Sequence, residues 1–482
     1  MTAMSDFGIT GYGAYVPRLR IERGIIAEAH KWMAPGLKGQ AKGSRAFCSW
    51  DEDAVTMAVE AARDALAGSS ADALKAIYLA STTLPYADLL NASIVAGAIS
   101  APTGIAASDA GYSQRAGTSA LLQALKGGEA ALFIASDAPV GKPASVQEIS
   151  YGAGAAAFTL GAEGVIARLV GKASVTDSFV DHFRATGQKY EYAWEERWVR
   201  DEGYAKLAPA AISAALADAG IGIDGVAYFA MPSQLRAVAD AVAKSVKFGG
   251  SVVSGLENGV GYAGAAHALL QLALALETAK PGEKILVVGF GQGADALIFE
   301  VTEAITALPK RRGVSGSVAD AVATDSYLRF LSFAEGIDVE WGMRAERSGK
   351  TQLTEQYRSA FQLEAFNAGQ CAACNTIQFP QFQFCVKCQA PRKQFRQVPL
   401  ADEPAQVLTS TADWLSYYPA PPLYCGFVQF DNGARLLMEM VDVGPKGIER
   451  GEKLRMVYRI KERDRARGYN RYFWKTTPIA AG

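Results

Sequence analysis

The chain has 482 residues, half of them hydrophobic, and its 48 Lys plus Arg nearly cancel 49 Asp plus Glu, leaving a formal net charge of −1. That balance provides no global field to draw in nucleic acid or an anionic membrane, and the length suits roughly two to four domains, each with its own core. No stretch approaches the ~18 apolar residues of a membrane span, and residues 1–17 lack a basic segment followed by an apolar core, so the expectation is a cytoplasmic protein.

Residues up to about 305 alternate short β-rich runs with Ala/Leu-rich helical stretches, the pattern of a layered α/β domain. They also repeat. A helix expected over 51–68 (DEDAVTMAVEAARDALAG) and a strand over 75–82 (KAIYLAST) are echoed by 203–220 (GYAKLAPAAISAALADAG) and 225–232 (GVAYFAMP). Likewise AGTSALLQAL at 116–125 parallels AGAAHALLQL at 263–272, and EAALFIASD at 129–137 parallels EKILVVGFG at 283–291. The reading is an internal duplication, with two βαβα copies packed around two shared central helices in a five-layered domain, 1–305.

Residues 306–356 read as a linker and helical lead-in, with a basic PKRRGVSGS stretch followed by SYLRFLSFAEGI. In 357–394, Cys371, Cys374, Cys385 and Cys388 form CxxC, ten residues, then CxxC, on a chain with six cysteines in all. That is zinc-ribbon spacing: four thiolates on two tight knuckles close a tetrahedral structural Zn²⁺ site with no open position. Two disulfides or free thiols are the alternative, and nothing in the sequence points to the oxidising compartment that disulfides need. From 395 to 482, five segments alternate at period two between Gly, Asn, Asp or Pro breaks, which suits a small β-barrel such as an OB-fold. Cys425 falls on one of these segments as a core residue, and Cys48 reads as a buried small hydrophobe. The mixed basic, acidic and aromatic run KERDRARGYNRYFWK (461–475) reads as an exposed hairpin.

In layered α/β domains, ligands gather where strands end and helices begin, because unpaired backbone N–H groups there stabilise negative charge. The repeat thereby selects the loops 81–88, 109–115, 230–236, 255–262 and 289–295. None contains a cysteine or histidine. The usual thiolate nucleophile and imidazole base of acyl transfer are therefore missing from them.

The motifs DEDAVTMA (51–58), STTLPYADLLNASIVAGAI (81–99), AGTSALLQA (116–124), SYGAGAAAF (150–158), FRATGQKY (183–190) and GFGQGADA (289–296) occur in one collinear series. In that order they resemble hydroxymethylglutaryl-CoA synthase of the thiolase superfamily, across about residues 6–302. The part from about 325 to 482 resembles zinc-ribbon plus OB-fold proteins that accompany thiolase-like enzymes acting on acyl-CoA. The resemblance implies a duplicated thiolase fold, a CoA thioester substrate and a homodimer, without nucleic-acid or membrane partners. It also exposes departures. The family's catalytic cysteine matches Gln114, its glutamate matches Thr82, and its histidine matches Ala230. Of the histidines present, His267 reads as packed in an apolar helix and His30 as without a role. His182 lies in a stretch matching the family's substrate-proximal region, where a packed residue and a ligand contact both remain open.

Without a cysteine, condensation through an acyl-enzyme is not expected. Main-chain donors survive substitution, so the N–H of Gln114 and those around Gly291 are expected to stabilise a thioester enolate. The reading is an acyl-CoA-directed carbon–carbon lyase of aldolase type, with Tyr262 or Tyr86 as a base if its pKa is lowered. Asn258 would orient a carbonyl or cap a turn, and Gln114 would orient the thioester or fill vacated space. Arg115, Arg236 and Ser233 are candidates for the nucleotide end of CoA. The alternatives are a divergent synthase or acyltransferase, and a non-catalytic acyl-CoA-binding scaffold for a partner thiolase.

Overall fold

A computed structural model describes residues 7–346 and 349–479. The start of the N-terminal segment read for a leader, two residues of the 306–356 span and the last three of the barrel span lie outside the described residues. The chain divides into one unit of Met1–Ser49, Asp53–Ser93 and Pro102–Ile337, and a second of Trp50–Glu52, Ile94–Ala101 and Asp338–Gly482.

The first unit is built on ten strands. Its first half contributes β1 (Gly8–Tyr15), β2 (Ala76–Ala80), β3 (Ala106–Ala110), β4 (Ala131–Asp137) and β5 (Gly154–Gly161). The second half contributes β6 (Ala167–Thr176), β7 (Tyr228–Ala230), β8 (Ser251–Val252), β9 (Lys284–Phe290) and β10 (Gly293–Val301). The order across the sheet is β8-β7-β9-β10-β6-β1-β5-β4-β2-β3. In the first half β2 runs parallel to β3 and β4, with β4, β5 and β1 antiparallel in turn; in the second, β7 runs parallel to β8 and β9, with β9, β10 and β6 antiparallel in turn. The same topology thus occurs twice, and the halves join through the pair Ile9 and Ala167.

Five helices complete the layers: α1 (Ala54–Leu66), α2 (Ala116–Gly127), α3 (Ala205–Ala219), α4 (Val238–Ser245) and α5 (His267–Leu276). Strand β9 shows why both sheet faces must be covered. Ile285 and Val287 enter a cluster with Leu121 and Leu122 of α2 and Leu269 and Leu272 of α5. Leu286 and Val288 point the other way, toward Ala208, Ala211 and Ile212 of α3 and Val238 and Val242 of α4. Apolar residues on both sides of a strand require helices on both sides. In the first half, Phe133, Ala156 and Phe158 share the central cluster, while α1 packs on β1, β4 and β5. The layers therefore run α1, half-sheet, α2 with α5, half-sheet, α3 with α4.

Helix α1 begins three residues later than its apolar pattern suggests. Asp53 accepts a hydrogen bond from the Thr56 N–H (2.9 Å), and the Asp53 N–H donates to the Thr56 hydroxyl (2.9 Å). This capping box fixes the start at Ala54 and leaves Asp51 and Glu52 outside the helix. At the centre of the unit, α2 crosses the start of α5 so closely that a Cβ on Gly117 would stand 2.2 Å from the Ala265 carbonyl oxygen. Only glycine fits there.

The second unit holds a three-stranded ribbon and a barrel. In the ribbon, Asn367–Cys371 lies between Ile377–Gln378 and Phe395–Pro399. The barrel closes through Ala405–Val407, Lys453–Asp464, Tyr469–Pro478, Arg435–Met440 and Leu423–Phe430, which pairs back onto Ala405–Val407. The 405–415 segment (AQVLTSTADWL), expected as one barrel strand, is broken. The N–H groups of Leu408 and Thr409 both donate to the Phe427 carbonyl, a bulge that separates Ala405–Val407 from a short Thr411–Asp413 strand. Cys425 is half-buried, not a full core position.

The 461–475 run is also less exposed than expected. Lys475, its last residue, is 1% exposed, as is Arg459 just ahead of the run. Lys475 bonds Asp51 (3.0 Å) and Glu439 (3.0 Å) and sits 4.4 Å from the Trp50 ring centre; Arg459 bonds Glu52 and Asp442 (2.8 Å). Buried cations persist only when paired in this way. Among the described residues, no helix is long and apolar enough to cross a membrane.

Gly117→Ala is expected to destabilise the protein by about 1–3 kcal/mol or more, because the added methyl meets backbone that cannot rotate aside. Gly127→Ala, where an added Cβ meets nothing within 4 Å, serves as the control and is expected to keep or raise the melting temperature. Equal melting temperatures for the two variants would contradict this account of the central helices.

Candidate functional site

The loop between β3 and α2 brings Ser113, Gln114 and Arg115 to the N-terminus of a central helix. The Gln114 Oε1 accepts hydrogen bonds from the Tyr262 hydroxyl (2.7 Å) and from Gln234 Nε2 (3.3 Å). With that oxygen occupied, the Gln114 side-chain N–H₂ and its backbone N–H have no partner among the described residues. Both are donors at a helix start, where the dipole favours negative charge. Gly291 faces them: a Cβ there would lie 2.7 Å from Ser113 Oγ, 3.1 Å from the Arg115 nitrogen and 3.4 Å from the Gln114 nitrogen. The expected donor role of Gly291 needs correction, since its own N–H is committed to the Gly293 carbonyl (3.0 Å). Its contribution is the space that a missing side chain leaves in front of Gln114.

Two buried carboxylates tie the surrounding segments together. Asp137, at the end of β4, accepts from the hydroxyls of Ser81 (3.1 Å), Thr82 (2.8 Å) and Thr83 (2.6 Å) and from the N–H of Ala265 (2.9 Å). Asp295 on β10 accepts from Thr118 (2.9 Å), Ser119 (2.5 Å) and Ser174 (2.7 Å). The Thr82 hydroxyl therefore anchors the loop on Asp137. Arg115 is turned inward, donating to the Val175 carbonyl (2.7 Å) and lying 3.7 Å from Asp295, so the side chain expected to meet phosphates is already engaged. Arg236 is exposed and has no hydrogen-bond or ion-pair partner among the described residues. The Ser233 hydroxyl accepts from the Leu235 N–H (3.0 Å) and also bonds Tyr204.

Tyr262 is not the low-pKa base anticipated. Burial pushes its hydroxyl well above the usual phenol value, and the nearby Tyr204, Asp181, Asp137 and Glu191 push the same way. It is a neutral donor held against Gln114. The backbone of Tyr86 is tied to Asn91, whose Nδ2 donates to the Tyr86 carbonyl (3.0 Å). Asn258 lies exposed on the short helix Leu256–Gly259, and the structure does not bring its side chain into the hydrogen-bonded cluster around Gln114.

Three groups in this cluster escape the loop argument. The Tyr151 hydroxyl donates to Glu191 and also bonds Gln234; burial and then Glu191 raise its pKa well above normal. Asp181 pairs with His182. Tyr151 is the second residue of the SYGAGAAAF motif, and Asp181 and Glu191 flank FRATGQKY, so the motifs marked their neighbourhood without marking their roles. Beneath Tyr262, fully buried His267 stacks on its ring at 5.5 Å and accepts the Ala263 N–H at Nδ1 (3.0 Å). That leaves its Nε2 proton facing Glu257 at 3.6 Å.

In the ribbon, the four Sγ atoms of Cys371, Cys374, Cys385 and Cys388 lie within 4.8 Å of one another. The Cys371–Cys388 and Cys374–Cys385 pairs are 3.6 Å apart. A tetrahedral site with Zn–S of about 2.3 Å has edges of about 3.8 Å, so the donors fit zinc in both kind and spacing. The Lys387 N–H points at Cys385 Sγ (3.4 Å), as a thiolate ligand requires.

No family model matches the chain. Over 311 residues, it is 34% identical to the hydroxymethylglutaryl-CoA synthase of Methanopyrus kandleri, covering 62% of this chain and 88% of that protein. With the hydroxymethylglutaryl-CoA synthase of Methanocella arvoryzae it shares 33% identity over 340 residues, 68% of this chain and 96% of the relative. A crystal structure of an HMG-CoA synthase complexed with CoA shares the fold, with a TM-score of 0.56 at 16% identity over 69% of this chain and 90% of that one.

Burial would raise the Glu257 pKa, but His267 beside it and the Gly255 N–H bring it from 4.5 down to about 2. A depressed carboxylate contributes stability that is complete above its unfolded pKa and is lost as pH falls through its folded one. Urea midpoints of the wild type and Glu257→Gln are therefore expected to differ most near neutral pH and to converge as pH approaches about 2. A gap that stayed constant from pH ~7 to ~2 would contradict the assignment.

Proposed function

The chain belongs to the hydroxymethylglutaryl-CoA synthase family of the thiolase superfamily, and from that premise we propose that it is an acyl-CoA carbon–carbon lyase of the aldolase type. The supporting observation is the state of residue 114. At the position matched to the nucleophilic cysteine stands an amide whose oxygen is taken by Tyr262 and whose N–H groups have no partner among the described residues. An amide forms no acyl-enzyme. Its donors can instead stabilise negative charge on a thioester oxygen.

Cleavage of a β-hydroxyacyl-CoA asks for just this. As the bond between Cα and Cβ breaks, the thioester carbonyl becomes an enolate oxygen, and fixed donors aimed at that oxygen lower the barrier without reorganising. The Gln114 backbone N–H and side-chain N–H₂ are placed for the task. Tyr262 and Gln234 fix the amide's orientation, and Asp137 and Asp295 fix the segments around it. Aldol addition is the same chemistry run backward. Arg236 is the exposed cation suited to the nucleotide phosphates, and the four cysteines hold a structural zinc that takes no part in the chemistry.

The direct test is liquid chromatography with mass spectrometry on protein incubated with β-hydroxyacyl, β-ketoacyl and malonyl-type CoA thioesters. A shortened acyl-CoA together with a ketone or aldehyde supports the lyase. Loss of CO₂ alone would replace it with a decarboxylase, condensation with a synthase, and binding without turnover with a scaffold. Gly291→Ala, which fills the space before the Gln114 N–H, is expected to cut turnover by roughly 100-fold to 1000-fold. Metal analysis is expected to give about one zinc per chain; a fully folded, metal-free sample would refute the ribbon assignment.

A further inference from the structure

A proton acceptor is still needed, and the tyrosines around Gln114 are too well buried to serve. The carboxylates Asp137 and Asp295 are saturated by hydroxyl and N–H donors, and Glu191 holds Tyr151. One group differs. His182 lies in a two-stranded hairpin, where His182–Phe183 pairs with Tyr192–Ala193. Its Nδ1 is 2.7 Å from Asp181 Oδ2. The other Asp181 oxygen accepts from Gln292 Nε2 (2.6 Å), and the Asp181 carbonyl accepts from the Trp194 N–H (2.9 Å).

Gln292 directly follows Gly291, whose α-carbon faces the Gln114 N–H. The aspartate thus ties the imidazole to the loop in front of the enolate donors. With its proton held at Nδ1 by Asp181, the ring carries its lone pair on Nε2, which has no partner among the described residues; the side chain is 15% exposed. A carboxylate fixing the tautomer and orientation of an imidazole is the arrangement that general bases use. It also comes from a different element than the resemblance implies, which would place the histidine at Ala230 on β7.

Resting on the lyase reading above, we propose that His182, oriented by Asp181, is the catalytic base. Its Nε2 takes the proton of the β-hydroxyl, the oxygen's electrons form the new carbonyl at Cβ, and the Cα–Cβ bond breaks with its pair passing into the enolate. The imidazolium then returns the proton to Cα, so a β-hydroxyacyl-CoA becomes a shorter acyl-CoA and a ketone or aldehyde with no net gain or loss of protons. Burial would lower the His182 pKa, but its hydrogen bond to Asp181 and the charges of Asp181 and Glu191 raise it above the ordinary 6.5. Tyr204 beside Asp181 stays neutral, and the neighbouring Arg184 donates to the Thr82 carbonyl (2.5 Å). A base must be unprotonated, so the rate rises with pH through that raised value and then levels off.

The test uses the full chain as wild type, His182→Gln and Asp181→Asn. Two rates are read across pH: cleavage of 3-hydroxy-3-methylglutaryl-CoA and longer 3-hydroxyacyl-CoA thioesters, and exchange of the α-protons of acetyl-CoA in deuterated water, which needs the enolate but no bond cleavage. His182→Gln is expected to lose about 100-fold to 10,000-fold in both, to lose the rise near neutral pH, and to bind CoA thioesters as the wild type does. Asp181→Asn is expected to be slowed and to shift the pH profile downward. If the wild type cleaves thioesters and His182→Gln does so at a similar rate with the same profile, the base assignment falls and the lyase stands. If the wild type exchanges α-protons through His182 without cleaving, the lyase reading falls and the base stands; if it does neither, both fall. Proton NMR of the chain's three histidines gives a second readout: a resonance titrating above the ordinary value, absent in His182→Gln and lowered in Asp181→Asn, is expected, and its absence from the wild type would overturn the assignment.

Discussion

The close crossing of the two central helices sets the terms for the first unit. With no side chain at Gly117, the backbone of α2 meets the Ala265 carbonyl at the start of α5. The segments leading into both helices then lie near enough for the Tyr262 hydroxyl to reach the Gln114 oxygen at 2.7 Å. Duplication supplies two helix starts, and the crossing brings them together. The N–H groups of Gln114, just ahead of the α2 N-cap and without a partner among the described residues, become at this place donors facing a loop that glycine keeps open.

Buried carboxylates make that arrangement rigid. A carboxylate removed from water is costly unless several donors surround it, and Asp137 and Asp295 each collect donors from more than one segment of the chain. Each therefore converts its own desolvation penalty into fixed geometry for its neighbours, which is what preorganised charge stabilisation requires. The second unit uses the same physics in a structural role. Arg459 and Lys475 are buried in and beside the barrel only because Glu52, Asp442, Asp51 and Glu439 meet them; removing one partner of such a pair typically costs about 3–5 kcal/mol.

Features with a period or a fixed spacing were legible in the sequence. The duplicated helix and strand runs predict the repeated sheet order, because a strand apolar on both faces, such as Lys284–Phe290, has to be sandwiched. The CxxC pairs predict the cysteine cluster, because four ligands on two knuckles have few other geometries. What escaped depended on single side chains meeting across the fold. Asp51 and Glu52 read as a helix start, yet the Asp53 capping box excludes them and the barrel cations claim them. Arg115 read as a phosphate contact, since nothing in its neighbours in sequence reveals the Val175 carbonyl and Asp295. Tyr262 read as a base because burial, which raises its pKa, has no local signature. His182 stood in a recognised stretch, but its meaning depended on Gln292, more than a hundred residues away.

The central claim is that this site handles thioesters without acylating the protein. Intact-protein mass spectrometry, taken on rapidly quenched mixtures while an acyl-CoA substrate is being turned over, tests it most directly. The account predicts product formation with the mass of the chain unshifted throughout. A transient gain equal to the acyl group, mapped to any residue of the 109–115 or 289–295 loops, would contradict it.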